Sequence, residues 1–175
     1  MAKSSKAQMQ EDEIKVLVEL TKNANDKIER IAKHCGFSKQ KTWRIIKQLE
    51  ANGLIWGYTA VFNEEKLGRI HFTLMVKRTG KYLQEKTADI IISRELEDRV
   101  AELDIIIESS SYVHGEYDWI ITFTAKDILQ AKKLSESLIS LHPGIIEKIT
   151  ILQTLMFIRK QYILNPERKK LKDFL

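Results

Sequence analysis

Apolar residues recur along this chain with two different periods, and the change of period divides it. Up to about residue 53 the spacing is three and four, the mark of helices with one buried stripe. Glu11 to Leu20 reads as a helix turning Ile14, Leu17, Val18 and Leu20 inward. Lys27 to His34 reads as a second, with Ile28, Ile31 and Ala32 on one side. Lys39 to about Ala51 reads as a third, with Trp43, Ile46 and Leu49 inward. Gly36 can take the left-handed backbone that ends a helix, and Ser38 stands where an N-cap belongs. Asn52-Gly53 closes the third helix. A short helix, a tight turn and a capped second helix have the sequence shape of a helix-turn-helix.

From Leu54 the pattern becomes β-rich. Leu54 to Asn63 reads as a strand that leaves the helical module and pairs elsewhere, a partner chain being one candidate, and Asn63 to Gly68 as a linker. Ile70, Phe72, Leu74 and Val76 then alternate with His71, Thr73 and Met75. Tyr82 to about Leu103 reads as mostly helical, with Ile91, Leu96, Val100 and Leu103 inward. Ile105–Val113 and Tyr117–Thr124 read as a hairpin around His114-Gly115-Glu116. Asp127 caps a helix carrying Ile128, Ala131, Leu134, Leu138 and Leu141, and Ile145 to Phe157 is the last strand. The order strand, helix, strand, strand, helix, strand predicts a ferredoxin-like βαββαβ sandwich, both helices on one face of an antiparallel sheet. The expected class is therefore α+β, a winged-type helix-turn-helix followed by that sandwich. Its expected divisions are a disordered tail (1–10), the helix-turn-helix (11–53), a connecting strand and linker (54–68), the ferredoxin-like unit (69–160) and a basic tail (161–175). The sheet's other face would carry Thr73, Met75, Ile120, Thr122, Thr150, Leu152 and Thr154. Such a face is too apolar to stay wet and too rich in threonine for a deep core, which suits a sheet packed on a twin sheet.

Charge sharpens the picture. The chain has 175 residues, a formal charge of +5, 43% hydrophobic and 30% charged residues. These are the proportions of a globular chain with a real core, drawn towards polyanions. From Lys27 to Lys47 seven cationic residues face a single acid, Glu29. Lys39, Gln40, Lys41, Thr42 and Arg44 fall in the first two turns of the third helix. A recognition helix offers that end to the major groove, where Arg and Lys pair with guanine and Gln with adenine. Charge alone fits a solvated basic face; turn, cap and one-sided charge together point to duplex DNA. Ser38, Lys41 and Arg44 are candidates for phosphate or base contacts, Gln40 and Thr42 for base reading, and Lys39 and Lys47 complete the set. Three roles stay open for the tail from Asn165 to Leu175: a disordered end, further dimer contacts, or added non-specific DNA affinity.

Other chemistry finds little support. The lone Cys35 excludes an intrachain disulfide and fits a reducing compartment. Four histidines without ligand spacing make no zinc motif, and neither a phosphate-binding glycine loop nor a nucleophile elbow occurs. No cofactor or metal is expected. The apolar runs are too short to span a bilayer, and the polar N-terminus does not read as a secretory signal. Cytoplasmic placement is the expectation.

A helix-turn-helix with Gly36-Phe37-Ser38 at its turn, then Gly53-Leu54-Ile55 and Gly57-Tyr58, then Gly115-Glu116-Tyr117-Asp118-Trp119, resembles the Lrp/AsnC (feast/famine) family of transcription regulators. "HPGI" at His142–Ile145 is similar to that family's Leu-Pro-Gly-Val turn. The resemblance runs from Asp12 to about Ile158. It implies a homodimer that assembles further in many members, binds palindromic double-stranded DNA and responds to a small effector such as an amino acid, with no enzymatic activity. It implies an effector position at Gly115, Tyr117 and Asp118. A hairpin glycine admits backbone amides to a carboxylate, and an aspartate can pair an α-ammonium group. Two features depart from the family pattern. Arg44 stands one residue before the usual arginine position, here Ile45, and the segment from Lys81 to Ser93 is longer than usual. The alternative of the same fold is a sirohaem-decarboxylase-like tetrapyrrole enzyme, whose aromatic-rich strand is not found here. A third class, an amino-acid sensor without DNA binding, conflicts with the basic helix.

Overall fold

The computed structural model describes residues 6–82, 89, 93 and 95–175. They form two compact units, Phe62–Met156 and the remainder, in which the segment up to Val61 is joined by Phe157–Leu175.

The first unit contains α1 (Lys6–Lys22), α2 (Ile28–Cys35) and α3 (Lys39–Ala51). Val16, Leu20, Ile31, Ile45 and Leu49 make its core, with Leu17, Cys35, Phe37, Ile46 and Ile55 packed against it. Residues 6–10, expected in a disordered tail, are the first turns of α1. The buried stripe of α1 is Asp12, Val16 and Leu20, whereas Ile14 and Val18 are exposed, because the side facing α2 and α3 follows the i, i+4, i+8 row through Val16. Trp43 is likewise exposed, contrary to the expected inward position. The inward stripe of α3 is Thr42, Ile45 and Leu49, and Trp43 lies about 100° round the helix from Thr42.

No strand occurs from Leu54 to Asn63, contrary to expectation. A strand needs a ladder partner, and among the described residues no strand lies in register with this segment; Trp56, Tyr58 and Leu54 stand exposed along it. Asn63 Oδ1 then accepts from the Glu65 amide at 3.0 Å and starts a 3₁₀ turn, Glu64–Leu67.

The second unit holds β1 (Ile70–Arg78), α4 (Glu95–Ala101), β2 (Ile106–Tyr112), β3 (Trp119–Ala125), α5 (Ile128–Leu141) and β4 (Ile146–Gln153). The strands form one antiparallel sheet in the order β2-β3-β1-β4, the ferredoxin-like arrangement that the alternation predicts. Phe72, Leu74 and Val76 of β1 face Phe123, Ile121 and Trp119 of β3. All turn towards Ala131, Leu134 and Leu138 of α5 and Leu96 and Val100 of α4. Phe72 and Phe123 stack with centroids 5.6 Å apart. On the opposite face the register sets Thr73 between Thr122 and Leu152, and Met75 between Ile120 and Thr150. The last strand stops at Gln153 rather than Phe157. Much of the expected helix from Tyr82, with Ile91 and most of the longer segment, lies outside the described residues.

The expected basic tail is an ordered segment of the first unit. A small hairpin, β5 (Arg159–Lys160) with β6 (Ile163–Leu164), leads to a 3₁₀ helix, Arg168–Phe174. Leu74 is fully buried at the centre of the sheet. Leu74→Ala should therefore lower the unfolding free energy of the second unit by about 2–5 kcal/mol, read from urea unfolding followed by circular dichroism.

Candidate nucleic-acid interface

The turn before α3 is built by its own residues. Gly36 takes φ 71°, where a side chain would be strained, and its amide bonds back to Lys33 O. Phe37 N–H reaches Ala32 O at 2.8 Å, which closes the end of α2. Ser38 Oγ accepts from the Lys41 amide at 3.2 Å, the N-cap that the sequence predicts.

The packing of α3 sorts its candidate residues. Thr42 is fully buried, and its hydroxyl donates to Ser38 O at 3.1 Å. It cannot touch a base edge, which corrects its assignment as a base reader. The correction has the same origin as that for Trp43: the helix is rotated so that 42, 45 and 49 face the core. Lys41 is only partly available. Its Nζ lies 2.6 Å from Asp12 Oδ2 of α1 and 3.9 Å from the centre of the Phe37 ring. The hydrogen bond from Lys41, opposed in part by desolvation, holds the Asp12 carboxyl below its ordinary range. Lys39 pairs with Glu29, and Lys47 Nζ lies 2.7 Å from Glu50, which also accepts from Tyr58 at 3.0 Å. Both lysines are exposed, and exposed pairs of this kind open at little cost. Among the described residues the side chains of Gln40 and Arg44 have no partner.

The outward surface of α3 is therefore Lys39, Gln40, Trp43, Arg44 and Lys47. A shallow depression lined by Ile28, Ser38, Lys39, Gln40, Lys41, Trp43 and Arg44 runs along it. Trp43 is the residue that sequence reasoning missed. The available signal was its place in the outward row 40, 43, 44, 47, which outranks its hydrophobicity.

The candidate effector residues come together at the β2–β3 turn, each with a different surrounding. Gly115 is exposed, and Tyr117 Oη lies 3.3 Å from Thr150 Oγ1. Asp118 Oδ2 accepts the Arg78 amide at 2.8 Å, while the Asp118 amide bonds to Val76 O. One carboxylate oxygen thus closes the end of β1. A second polar group was not foreseen. His71 is buried on the sheet's open face, with Nε2 2.9 Å from Glu108 Oε2 and Nδ1 2.7 Å from Thr154 Oγ1. Among the described residues no group of three or more His, Cys, Asp or Glu could hold a metal, and no helix is long and apolar enough to cross a membrane.

A three-helix unit with an outward basic helix is thus followed by a ferredoxin-like unit. The winged helix-turn-helix DNA-binding family matches residues 12–55. The proline dehydrogenase transcriptional activator of Rhodobacter capsulatus is 27% identical over 135 residues, covering 75% of this chain and 80% of its own. The fold is shared with a feast or famine regulatory protein from M. tuberculosis, complexed with L-methionine (TM-score 0.67, 14% identity, 87% of this chain and 95% of that one). It is shared also with an AsnC family transcriptional regulator from Agrobacterium tumefaciens (0.63, 16%, 89% and 96%). A transcriptional regulator from Neisseria meningitidis in complex with L-methionine is a third neighbour (0.63, 18%, 90% and 94%). Residues 12–55 thus match a winged helix-turn-helix DNA-binding module, and the chain shares the fold of feast/famine and AsnC family regulators.

The Asp12–Lys41 pair carries a pH signature. A carboxyl whose folded value is depressed contributes stability above its unfolded value and loses it as pH falls through the folded one. Asp12→Asn should lower stability at pH 7 by about 1 kcal/mol after allowance for the partly exposed lysine. The difference from wild type should shrink as pH falls below the ordinary aspartate value and through the depressed folded one, as urea unfolding at pH 7 and across the acid range will show.

Proposed function

We propose that the chain binds palindromic double-stranded DNA as a homodimer, each α3 lying in a major groove, the two about one helical turn apart. The observation that carries this reading is the outward row of α3, where Gln40 and Arg44 are unpartnered, Lys39 and Lys47 are held only by surface pairs, and Trp43 is exposed. Arg44 and Gln40 are the base readers, able to make two hydrogen bonds each to guanine and adenine. Trp43 offers an apolar surface to a thymine methyl. Lys39 and Lys47 neutralise phosphate, Ser38 sets the start of the helix, and Lys41 chiefly holds α3 to α1. The threonine-rich open face of the sheet supports self-association, as does the segment bearing the exposed Trp56 and Tyr58. A small effector such as an amino acid sits by Gly115, Tyr117 and Asp118. Its support is the free second oxygen of Asp118 and the L-methionine bound by two structural neighbours. The setting that suits this chemistry is the cytoplasm, and the protein is not an enzyme.

DNA selected from a random pool provides the test. If a dimer neutralises about 6–10 phosphates, affinity should fall roughly 10³–10⁵-fold between 50 and 200 mM salt. Arg44→Ala and Gln40→Ala should each cost about 1–3 kcal/mol at one base pair and relax the choice there. A protein that ignores every duplex at low salt would refute the reading. Sedimentation at micromolar concentration tests the dimer, and a panel of amino acids in a titration calorimeter tests the effector.

A further inference from the structure

Charge is distributed unevenly between the two units. The unit containing α1 to α3 has 17 Lys and Arg against nine Asp and Glu, a formal +8, while Phe62–Met156 has 12 against 15, a formal −3. Half of that +8 comes from Phe157–Leu175, with six cationic and two acidic residues. This segment is built rather than loose. Gln161 and Tyr162 both take positive φ, 44° and 66°, to reverse the chain between β5 and β6. Arg159 donates to Tyr162 O at 3.1 Å. Asn165 then fixes the entry to the 3₁₀ helix. Its amide bonds to Ile158 O at 3.0 Å, its Nδ2 donates to Phe157 O at 2.7 Å, and its Oδ1 accepts from Glu167 at 2.8 Å.

A 3₁₀ helix has three residues per turn, so side chains three apart lie on one line. Glu167, Lys170 and Asp173 share a compensated line, with Lys170 Nζ 3.1 Å from Glu167. Arg168, Leu171 and Phe174 share a second, on which Arg168 donates to Asn165 O at 3.3 Å. Lys169 and Lys172 share the third, and among the described residues neither has an acidic partner. Two exposed lysines on one line of the helix make a positive edge that attracts an anion. The segment belongs to the same compact unit as α3. We propose that the line of Lys169 and Lys172 is a second phosphate-binding surface, which grips the DNA backbone outside the groove read by α3. This extends the DNA-binding reading and rests on it. Contacts of this kind position a protein on the duplex and carry no sequence information.

The experiment compares full-length protein with K169Q/K172Q, K170Q and R44A, each titrated on a selected duplex and on a random duplex over a range of salt. Each phosphate contact contributes about 0.9 to the slope of log affinity against log salt. K169Q/K172Q should flatten that slope by about 1.8 for each chain bound and weaken both duplexes roughly ten- to a hundredfold at 0.1 M salt, leaving the preference between them unchanged. K170Q, on the compensated line, should change little. If K169Q/K172Q keeps the full slope while R44A weakens binding, the tail is off the DNA and the α3 reading stands. If the wild type binds neither duplex, both fall. A loss confined to anionic vesicles, with DNA binding intact, would assign the lysine line to a membrane surface and overturn the proposal.

Discussion

One ion pair governs what this protein can show to DNA. Lys41 leaves the first turn of α3 and meets Asp12, buried on α1, above the Phe37 ring. That carboxylate keeps little contact with water and has Lys41 as its cation, a pair worth about 1 kcal/mol because the lysine is partly exposed. The pair therefore pins the rotation of α3 about its axis, and the buried Thr42 hydroxyl on Ser38 O pins it from within the same turn. Once that rotation is set, the outward row is no longer a matter of residue type. Trp43 is driven out beside Arg44 although it is the largest side chain in the helix, and Lys41, a cation in a basic stretch, is drawn away from the surface that its charge suggests.

The same distinction explains which features were legible in the sequence. Local signals were sufficient wherever the deciding atoms are close in the chain: Gly36 at the end of α2, Ser38 at the start of α3, Asp127 at the start of α5, and the alternation of β1. The ferredoxin-like order followed from these, because four strands and two helices in that sequence have few compact solutions. Reading failed where a distant partner decides. Asp12 looks like one acid in an exposed helix, and nothing near it in sequence marks it as the mate of Lys41. Leu54 to Asn63 has the composition of a strand, but strand formation requires a neighbour that the chain itself does not supply among its described residues. For the tail the sequence left three roles open, because its order depends on Asn165 reaching back to Phe157 and Ile158.

The division of charge gives the two units different tasks. A formal +8 on the helical unit favours association with a polyanion from any direction, whereas −3 on the sheet unit discourages it. The sequence-wide +5 hides this contrast. It also separates affinity from choice within the positive unit. Under the proposed function Gln40, Trp43 and Arg44 distinguish bases, while the surface lysines hold the backbone. On that reading a protein built in this way binds non-specifically at first, and the outward row of α3 decides where it stops.

The open face of the sheet shows a related division at smaller scale. Around Met75 and Leu152 it is apolar and wants a cover. Towards the start of β1 it becomes a closed polar network. Arg69 donates to Thr124 Oγ1 at 2.9 Å, Thr124 O at 3.0 Å and Asp104 O at 2.6 Å, and its ion pair with Asp104 is joined by Lys126. His71 beside it is held between Glu108 and Thr154. Polar groups already satisfied within one chain gain nothing from a neighbour, while the apolar middle gains about 25 cal/mol for each Å² it hides. The face therefore divides into an apolar part that gains from a cover and a polar part that does not.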